Sequence, residues 1–113
     1  MPFFNQELGL VASGAGEVSL DTRDEHQVAP GTIHFAVLAT LGEVAAASVA
    51  GAPVVPVDVQ TRLLRRARPG RLVGRGHLLK RGRSLVFTRG EVLQDEELVA
   101  EVAVTFAVAS LSS

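Results

Sequence analysis

The chain of 113 residues is long enough for one hydrophobic core, and we predict a single domain over 1–113. Apolar residues make up 47% of the chain and charged residues 20%, and the net charge is −1, which excludes a disordered or fibrous protein. Because the chain has no cysteine, disulfides, thiolate nucleophiles and zinc–thiolate centres are excluded.

The first predicted element is one strand within residues 9–22, bulged or bent at Gly14 and Gly16. Residues 23–31 are polar and are predicted to form a loop. No signal peptide is visible at the amino terminus, and we expect a cytoplasmic protein.

A long apolar helix is predicted next, with Thr32 as its N-cap and an end near Val49, just before the Gly-Ala-Pro of residues 51–53. It is apolar on nearly every face, which is typical of a helix surrounded by protein. Glu43 in its middle argues against a membrane span, because a carboxylate is costly in a bilayer. We therefore predict a buried helix and no membrane association.

After this helix, apolar residues recur at every second position instead of about every 3.6 positions. This alternation predicts four strands joined by short turns. Short connections favour antiparallel neighbours. The predicted fold is α+β, with a five-stranded antiparallel sheet wrapped around one long central helix. The four strands lie within residues 55–63, 72–78, 85–92 and 98–108.

The charges fall into three blocks along the chain. Residues 1–61 carry seven acids and one base, residues 62–89 carry nine arginines and one lysine without any acid, and residues 90–113 carry five acids. A basic block of this kind fits an anion such as a phosphate group, or a contact between subunits. The alternative, which we favour for most of these side chains, is that they line solvated strand faces and pair with acids on neighbouring strands.

One pattern resembles a known family. Residues 31–34 read Gly-Thr-Ile-His, and Glu43 follows nine residues after His34. This pattern resembles the start of the central helix in hotdog-fold acyl-CoA thioesterases, more specifically those of the phenylacetate-degradation type. The similarity extends over about residues 9–108, through the segments Val57–Val59, Arg68–Gly70, Lys80–Leu85 and Leu98–Phe106. The resemblance implies the hotdog fold and dimers whose sheets join edge to edge, often as dimers of dimers, with active sites shared between subunits.

Helix geometry explains why such a site would be shared. Nine residues correspond to about 13 Å of rise and point to roughly opposite sides, so His34 and Glu43 of one chain cannot serve one reaction centre. In a two-fold pair, the amino-terminal end of one helix can face the carboxylate of the other. The resemblance then implies that amides near Phe35 and Ala36 hold the oxyanion while Glu43 acts as base or nucleophile.

Each of these residues has a plainer interpretation as well. Glu43 can reach solvent or pair with an arginine. His34 is a candidate catalytic residue that orients the helix start or contacts the thioester, and its plainer interpretation is a hydrogen-bonded histidine of the preceding loop. The sequence also departs from the family pattern: Phe35 and Ala36 replace two glycines, Val28 replaces an asparagine, and Pro56 replaces a serine. Gln27 is predicted to replace part of the missing asparagine.

Two groups in the basic block are candidates for the CoA end of the substrate, because arginine suits phosphate groups. They are Arg65, Arg66 and Arg68 in one turn, and Lys80, Arg81, Gly82 and Arg83 in another.

The sequence therefore predicts a self-associating acyl-CoA thioesterase, as a dimer or a dimer of dimers, without a cofactor since CoA is part of the substrate. The alternative is a non-catalytic hotdog module that binds CoA or another ligand. The three histidines lack metal-ligand spacing, so no metal is expected. Nucleic acid is not expected as a partner, because there is no tryptophan or tyrosine on which bases would stack.

Overall fold

The computed structural model describes residues 3–109 and forms an antiparallel sheet with one long helix packed on one face. The helices are α1 (Phe4–Leu8) and α2 (Phe35–Ser48). The strands are β1 (Val11–Gly14), β2 (Glu17–Asp21), β3 (Gln27–Ala29), β4 (Thr32–Ile33), β5 (Val54–Leu63), β6 (Arg71–Arg81), β7 (Leu85–Gln94) and β8 (Glu97–Val108).

The main sheet has the order β1-β2-β6-β7-β8-β5, and all its neighbouring strands are antiparallel. The predicted architecture of an antiparallel sheet around one central helix is confirmed. The sheet has six strands rather than five, because the segment predicted as one bent strand folds back on itself between Gly14 and Glu17. Gly16 has φ +70°, a conformation that glycine adopts without strain, and this permits the reversal.

The segment before α2 is more ordered than the sequence indicates. Residues 24–26 form a short 3₁₀ turn, and β3 and β4 pair with each other in the region predicted as a loop. Gly31, at φ +81°, turns the chain between these two strands. Helix α1 was not predicted, because five residues without a buried side chain carry little periodic signal.

The backbone of helix α2 packs directly against glycines of the sheet. A Cβ atom at Gly90 would overlap the carbonyl oxygen of Gly42, and one at Gly76 would overlap that of Ala45. A Cβ atom at Gly74 would lie 3.0 Å from the carbonyl oxygen of Leu41. The glycines that interrupt the apolar alternation of β6 and β7 are therefore the positions where the helix backbone approaches the sheet.

The other face of α2 is open in the single chain. Leu41, Ala45 and Ala46 are fully buried against the sheet, whereas Phe35 is 56% exposed. Ala36 is also exposed, and Ala39, Thr40 and Glu43 are half-buried. The prediction that protein surrounds the helix on all sides is therefore wrong for one chain, which leaves a stripe of mostly small side chains uncovered.

The two ends of the sheet differ in what they carry. At one end, the amino terminus of α2 lies beside residues 64–70, the segment that we call the arginine loop. At the other end, the β6–β7 hairpin lies beside the carboxyl end of α2, where the guanidinium of Arg81 packs against Gly51. The two basic groups of the sequence are thus separated by the length of the sheet.

Strand β5 forms a long edge of the sheet and is largely exposed. Val55, Val57, Val59 and Leu63 keep between 46% and 59% of their surface in solvent. At the opposite edge, β1 has only four residues. In the described part of the chain, no helix is long and apolar enough to cross a membrane.

Candidate functional site

The amino terminus of α2 is fixed by histidines. The backbone N–H of His34 donates to the carbonyl oxygen of His26 at 2.9 Å, and the backbone N–H of Ala36 donates to Nδ1 of His34 at 3.0 Å. His34 is therefore the N-cap, and the prediction of Thr32 is wrong because Thr32 is in β4, paired with β3. An imidazole nitrogen that accepts a hydrogen bond performs the usual task of a serine or aspartate cap.

This cap decides which donors are left at the helix start. The amide of Ala36 is occupied by His34, whereas the amide of Phe35 has no hydrogen-bond partner within residues 3–109. Because Nδ1 of His34 accepts a hydrogen bond, the ring N–H is at Nε2, which makes Nε2–H a second donor. The ring of Phe35 stacks on that of His34, with centroids 4.8 Å apart.

Glu43 lies on the open face of α2, two turns beyond the exposed Phe35. Burial of the carboxyl group raises its pKa above the usual value. Among the described residues, no hydrogen bond or ion pair reaches this carboxylate. It is therefore not paired with an arginine of the basic block, and its partial burial without a partner fits the pattern of functional carboxylates.

An apolar groove of about 450 Å³ opens next to the helix start. The groove is lined by residues of α2, of the end of β5 and of the paired strands β3 and β4. The arginine loop lies at its edge. The apolar lining consists of Val28, Ile33, Phe35, Leu38, Leu63, Leu64 and Ala67. Val28 and Phe35, which depart from the family pattern, thus form part of this wall.

The arginine loop is anchored to the helix start and to the sheet. The N–H of Ile33, just before the N-cap, donates to the carbonyl oxygen of Ala67 at 2.9 Å. The side chain of Gln94 accepts from the N–H of Arg68 at 2.9 Å and donates to the carbonyl oxygen of Arg68 at 2.6 Å. Gln94 was not predicted as a site residue, although a polar residue at the end of an apolar strand was a usable signal.

Ion pairs distinguish the three arginines of the loop. Arg65 lies 2.8 Å from Glu97, and Arg68 lies 3.5 Å from Asp95. Arg66 has no such partner in the described part of the chain. These side chains line a cavity of about 350 Å³ that shares Arg65 and Arg66 with the apolar groove. A basic cavity and an apolar groove therefore adjoin at the amino terminus of α2.

For two other arginines, the interpretation as partners of acids on a neighbouring strand holds. Arg75 pairs with Glu17 at 3.3 Å, and Arg71 with Asp21 at 3.5 Å, in each case across the neighbouring strands β6 and β2.

The remaining predicted site residues line neither the apolar groove nor the basic cavity within one chain. Lys80, Arg81, Gly82 and Arg83 belong to the β6–β7 hairpin at the far end of the sheet. Gln27 Oε1 accepts from the N–H of Gly31 at 2.7 Å, so its oxygen already holds the β3–β4 turn. Residues 3–109 contain no cluster of three or more side chains suited to a metal ion.

Comparison with known proteins identifies the class. The family model of the thioesterase superfamily matches residues 30–101, more than half of the chain. The chain therefore belongs to the thioesterase superfamily, and it is a thioester hydrolase. The resemblance deduced from residues 31–34 and Glu43 is confirmed at the level of the family. A search of the curated proteins found no match.

Solved structures agree with this assignment. A phenylacetic acid degradation-related protein from Ralstonia eutropha is 27% identical, with a TM-score of 0.85 over 96% of this chain and 92% of that one. A mutant of the phenylacetic acid degradation protein PaaI from Thermus thermophilus is 26% identical, with a TM-score of 0.84 over 94% and 98%. A thioesterase from Haemophilus influenzae shares the fold at 22% identity and a TM-score of 0.88 over 96% and 84%.

Proposed function

We propose that this thioester hydrolase acts on acyl-CoA and that two copies of the chain share each active site. The observation that carries the proposal is Glu43, a half-buried carboxylate with a raised pKa on the open face of α2 and no partner within residues 3–109. About 13 Å of helix rise separates it from the amide donors at its own helix start. A second copy brings such donors to the substrate carbonyl that lies beside the carboxylate.

Two-fold symmetry specifies how the helices would meet. If Glu43 of one copy faces Phe35 of the other in an antiparallel pair, the axis passes near Ala39, which lies midway between them. Phe35, Ala39, Glu43 and Ala47 are spaced four residues apart and form one row on the helix. The small side chains in this row permit close approach of two helices.

The proposed chemistry uses water and groups of the two chains. Glu43 accepts a proton from a water molecule whose oxygen attacks the thioester carbonyl carbon. The carbonyl oxygen becomes an oxyanion, which the N–H of Phe35 and Nε2–H of His34 from the other copy stabilise. When the tetrahedral intermediate collapses, the carbon–sulfur bond breaks, and CoA leaves as a thiolate that takes up a proton. In a nucleophilic variant, Glu43 attacks the carbonyl carbon directly, the carbon–sulfur bond breaks, and CoA leaves as a thiolate that takes up a proton. Water then hydrolyses the anhydride between the acyl group and Glu43, which releases the carboxylic acid and restores Glu43.

The surroundings of the helix start match the two halves of an acyl-CoA. The apolar groove suits the acyl group, because a polar substituent buried there would lose its hydration. The adjoining arginine loop suits phosphate groups, with Arg66 lacking an ion-pair partner in residues 3–109. The Lys80–Arg83 hairpin of the second copy is a further source of phosphate contacts, since an antiparallel pair brings opposite sheet ends together.

The exposed edge of β5 is the surface that we assign to self-association. Within residues 3–109, the backbone groups of this ten-residue strand that point away from β8 have no neighbouring strand, and exposed valines flank them. Pairing of two β5 strands would extend the sheet across the dimer and cover the open faces of both helices. A dimer of dimers is an additional level of assembly that we expect from the family.

A matched pair of substitutions tests the oxyanion donor. Phe35→Pro removes the backbone N–H at the first helical position, where proline is tolerated, whereas Phe35→Ala removes the same ring and keeps the N–H. We expect Phe35→Pro to reduce kcat on acyl-CoA about 100-fold or more relative to Phe35→Ala. Release of CoA is followed with a thiol reagent over a panel of acyl chains, and Glu43→Ala serves as the inactive reference. Equal rates for the two Phe35 variants, or undiminished CoA release by Glu43→Ala, would contradict the proposal.

A further inference from the structure

We propose that Glu97 limits the affinity of the arginine loop for the phosphate end of the substrate by competing for Arg65. This inference rests on the proposed function, in which that loop binds the phosphates of CoA. Glu97 lies outside the catalytic machinery. Within residues 3–109, Arg65 and Arg68 have carboxylate partners and Arg66 has none.

The geometry places Glu97 where a phosphate would otherwise bind. The Glu97 carboxylate lies 2.8 Å from a terminal guanidinium nitrogen of Arg65 and lines the basic cavity together with Arg65, Arg66 and Arg68. The cavity thus contains its own anion. A carboxylate and a phosphate use the same donors of a guanidinium group, so the two anions exclude each other at Arg65.

The backbone around the pair is held in place, so the side chains of Arg65 and Glu97 stay within reach of each other. The N–H groups of Leu64 and Arg65 both donate to the carbonyl oxygen of Val99, at 2.9 and 3.2 Å. Val99 is two residues from Glu97 in β8, and Gln94 ties the same loop to the end of β7. The arginine loop and the turn at residues 95–96, between β7 and β8, therefore form one preorganised unit.

The strength of the Arg65–Glu97 ion pair determines how much it lowers the affinity of the loop for phosphate. Both side chains are more than half exposed, at 64% for Arg65 and 59% for Glu97, and exposed pairs of this kind are weak. A phosphate can therefore displace Glu97, at a small loss of affinity. This small loss of affinity also favours release of CoA after hydrolysis, because the Glu97 carboxylate pairs with Arg65 again as the product leaves.

The test compares the binding of CoA and of pantetheine, which has no phosphate, by calorimetry on the full chain. Glu97→Gln should bind CoA about two- to fivefold more tightly than wild type and should leave pantetheine binding unchanged. Glu101→Gln, four residues along the same strand, is the control that removes the same charge. Arg66→Ala should weaken CoA binding in both the wild-type and the Glu97→Gln backgrounds.

The possible results separate this inference from the proposed function. Unchanged CoA binding by Glu97→Gln overturns the competition while leaving the proposed CoA site in place, provided that Arg66→Ala weakens binding. Equal tightening by Glu97→Gln and Glu101→Gln also overturns it, because the effect would then be one of net charge. Absence of CoA binding by wild type and every variant overturns both the inference and the proposed function.

Discussion

Replacing Glu43 by glutamine tests two effects of its charge. One is the free-energy cost of burying the carboxylate, and the other is the use of the carboxylate as a base in catalysis. Burial raises the pKa of Glu43, so the folded chain favours the protonated form more than the unfolded chain does. At a pH below the usual pKa of a glutamic acid, the carboxyl group is protonated in both the folded and the unfolded chain. Its burial then costs no free energy for desolvating a charge. As the pH rises through the interval between the unfolded and the folded pKa, stability is lost, and the penalty is complete above the folded value.

Glutamine has nearly the same shape and no charge, so Glu43→Gln should be more stable than wild type at pH 7. The side chain is half-buried and keeps part of its hydration, which places the gain at roughly 0.5–1 kcal/mol, or a Tm higher by about 2–4 °C. Loss of the base should reduce kcat by a factor of about 10² to 10⁴.

The assay is thermal unfolding followed by circular dichroism between pH 4 and pH 8, with hydrolysis measured on the same samples. The Tm difference should vanish near pH 4 and grow as the pH rises. Glu7→Gln, which alters an exposed glutamate, is the control and should show no such trend. If Glu43→Gln lowers the Tm at pH 7, the carboxylate is stabilised by a partner, and the reasoning from an unpaired buried charge is refuted.

Three other changes test the packing, the turn geometry and the helix pairing. Gly90→Ala should destabilise the chain by about 1–3 kcal/mol or prevent folding, because its Cβ would overlap the Gly42 carbonyl oxygen, and an unchanged urea midpoint would contradict this. Glu96→Gly should raise stability by about 1 kcal/mol in the same urea titration, because Glu96 has φ 66° in the left-handed region, and a lower midpoint would show that the turn is not strained. Since the chain has no cysteine, Ala39→Cys should give a cross-linked dimer with a short thiol reagent, whereas Ala47→Cys, about 12 Å further along the helix, should give far less; equal yields would refute the proposed helix pairing.

Periodicity and turn chemistry predicted most of the fold. The alternation from Val55 onward predicted four long strands, and short turns predicted that they are antiparallel neighbours. The amino-terminal half was harder, since short strands such as β3 and β4 have too few residues for a periodic signal. The error at the helix start has a specific cause: a threonine is the more usual cap, and only the backbone geometry shows that His34 accepts from the Ala36 amide.

The site was predictable in its components but not in its spatial arrangement. The sequence singled out Glu43 and the amides near Phe35, because a lone acid in an apolar helix and a family pattern are both visible in a linear chain. It grouped Arg65 with Arg81 as candidates for one ligand, although the fold places them at opposite ends of the sheet. Long-range placement of this kind depends on strand order, which local sequence does not encode. The same holds for the contact between Arg65 and Glu97, which brings together two separate turns.

The shared active site is tested most directly by mixing two inactive variants. Glu43→Gln supplies an intact helix start, and Phe35→Pro supplies an intact carboxylate. When the two proteins are unfolded together and refolded, half of the dimers should be mixed, and each mixed dimer should contain one complete site. We predict recovery of about a quarter of wild-type activity from two proteins that are each nearly inactive. If the mixture is no more active than its components while mixed dimers are present, each site lies within a single chain and the proposed shared site is wrong.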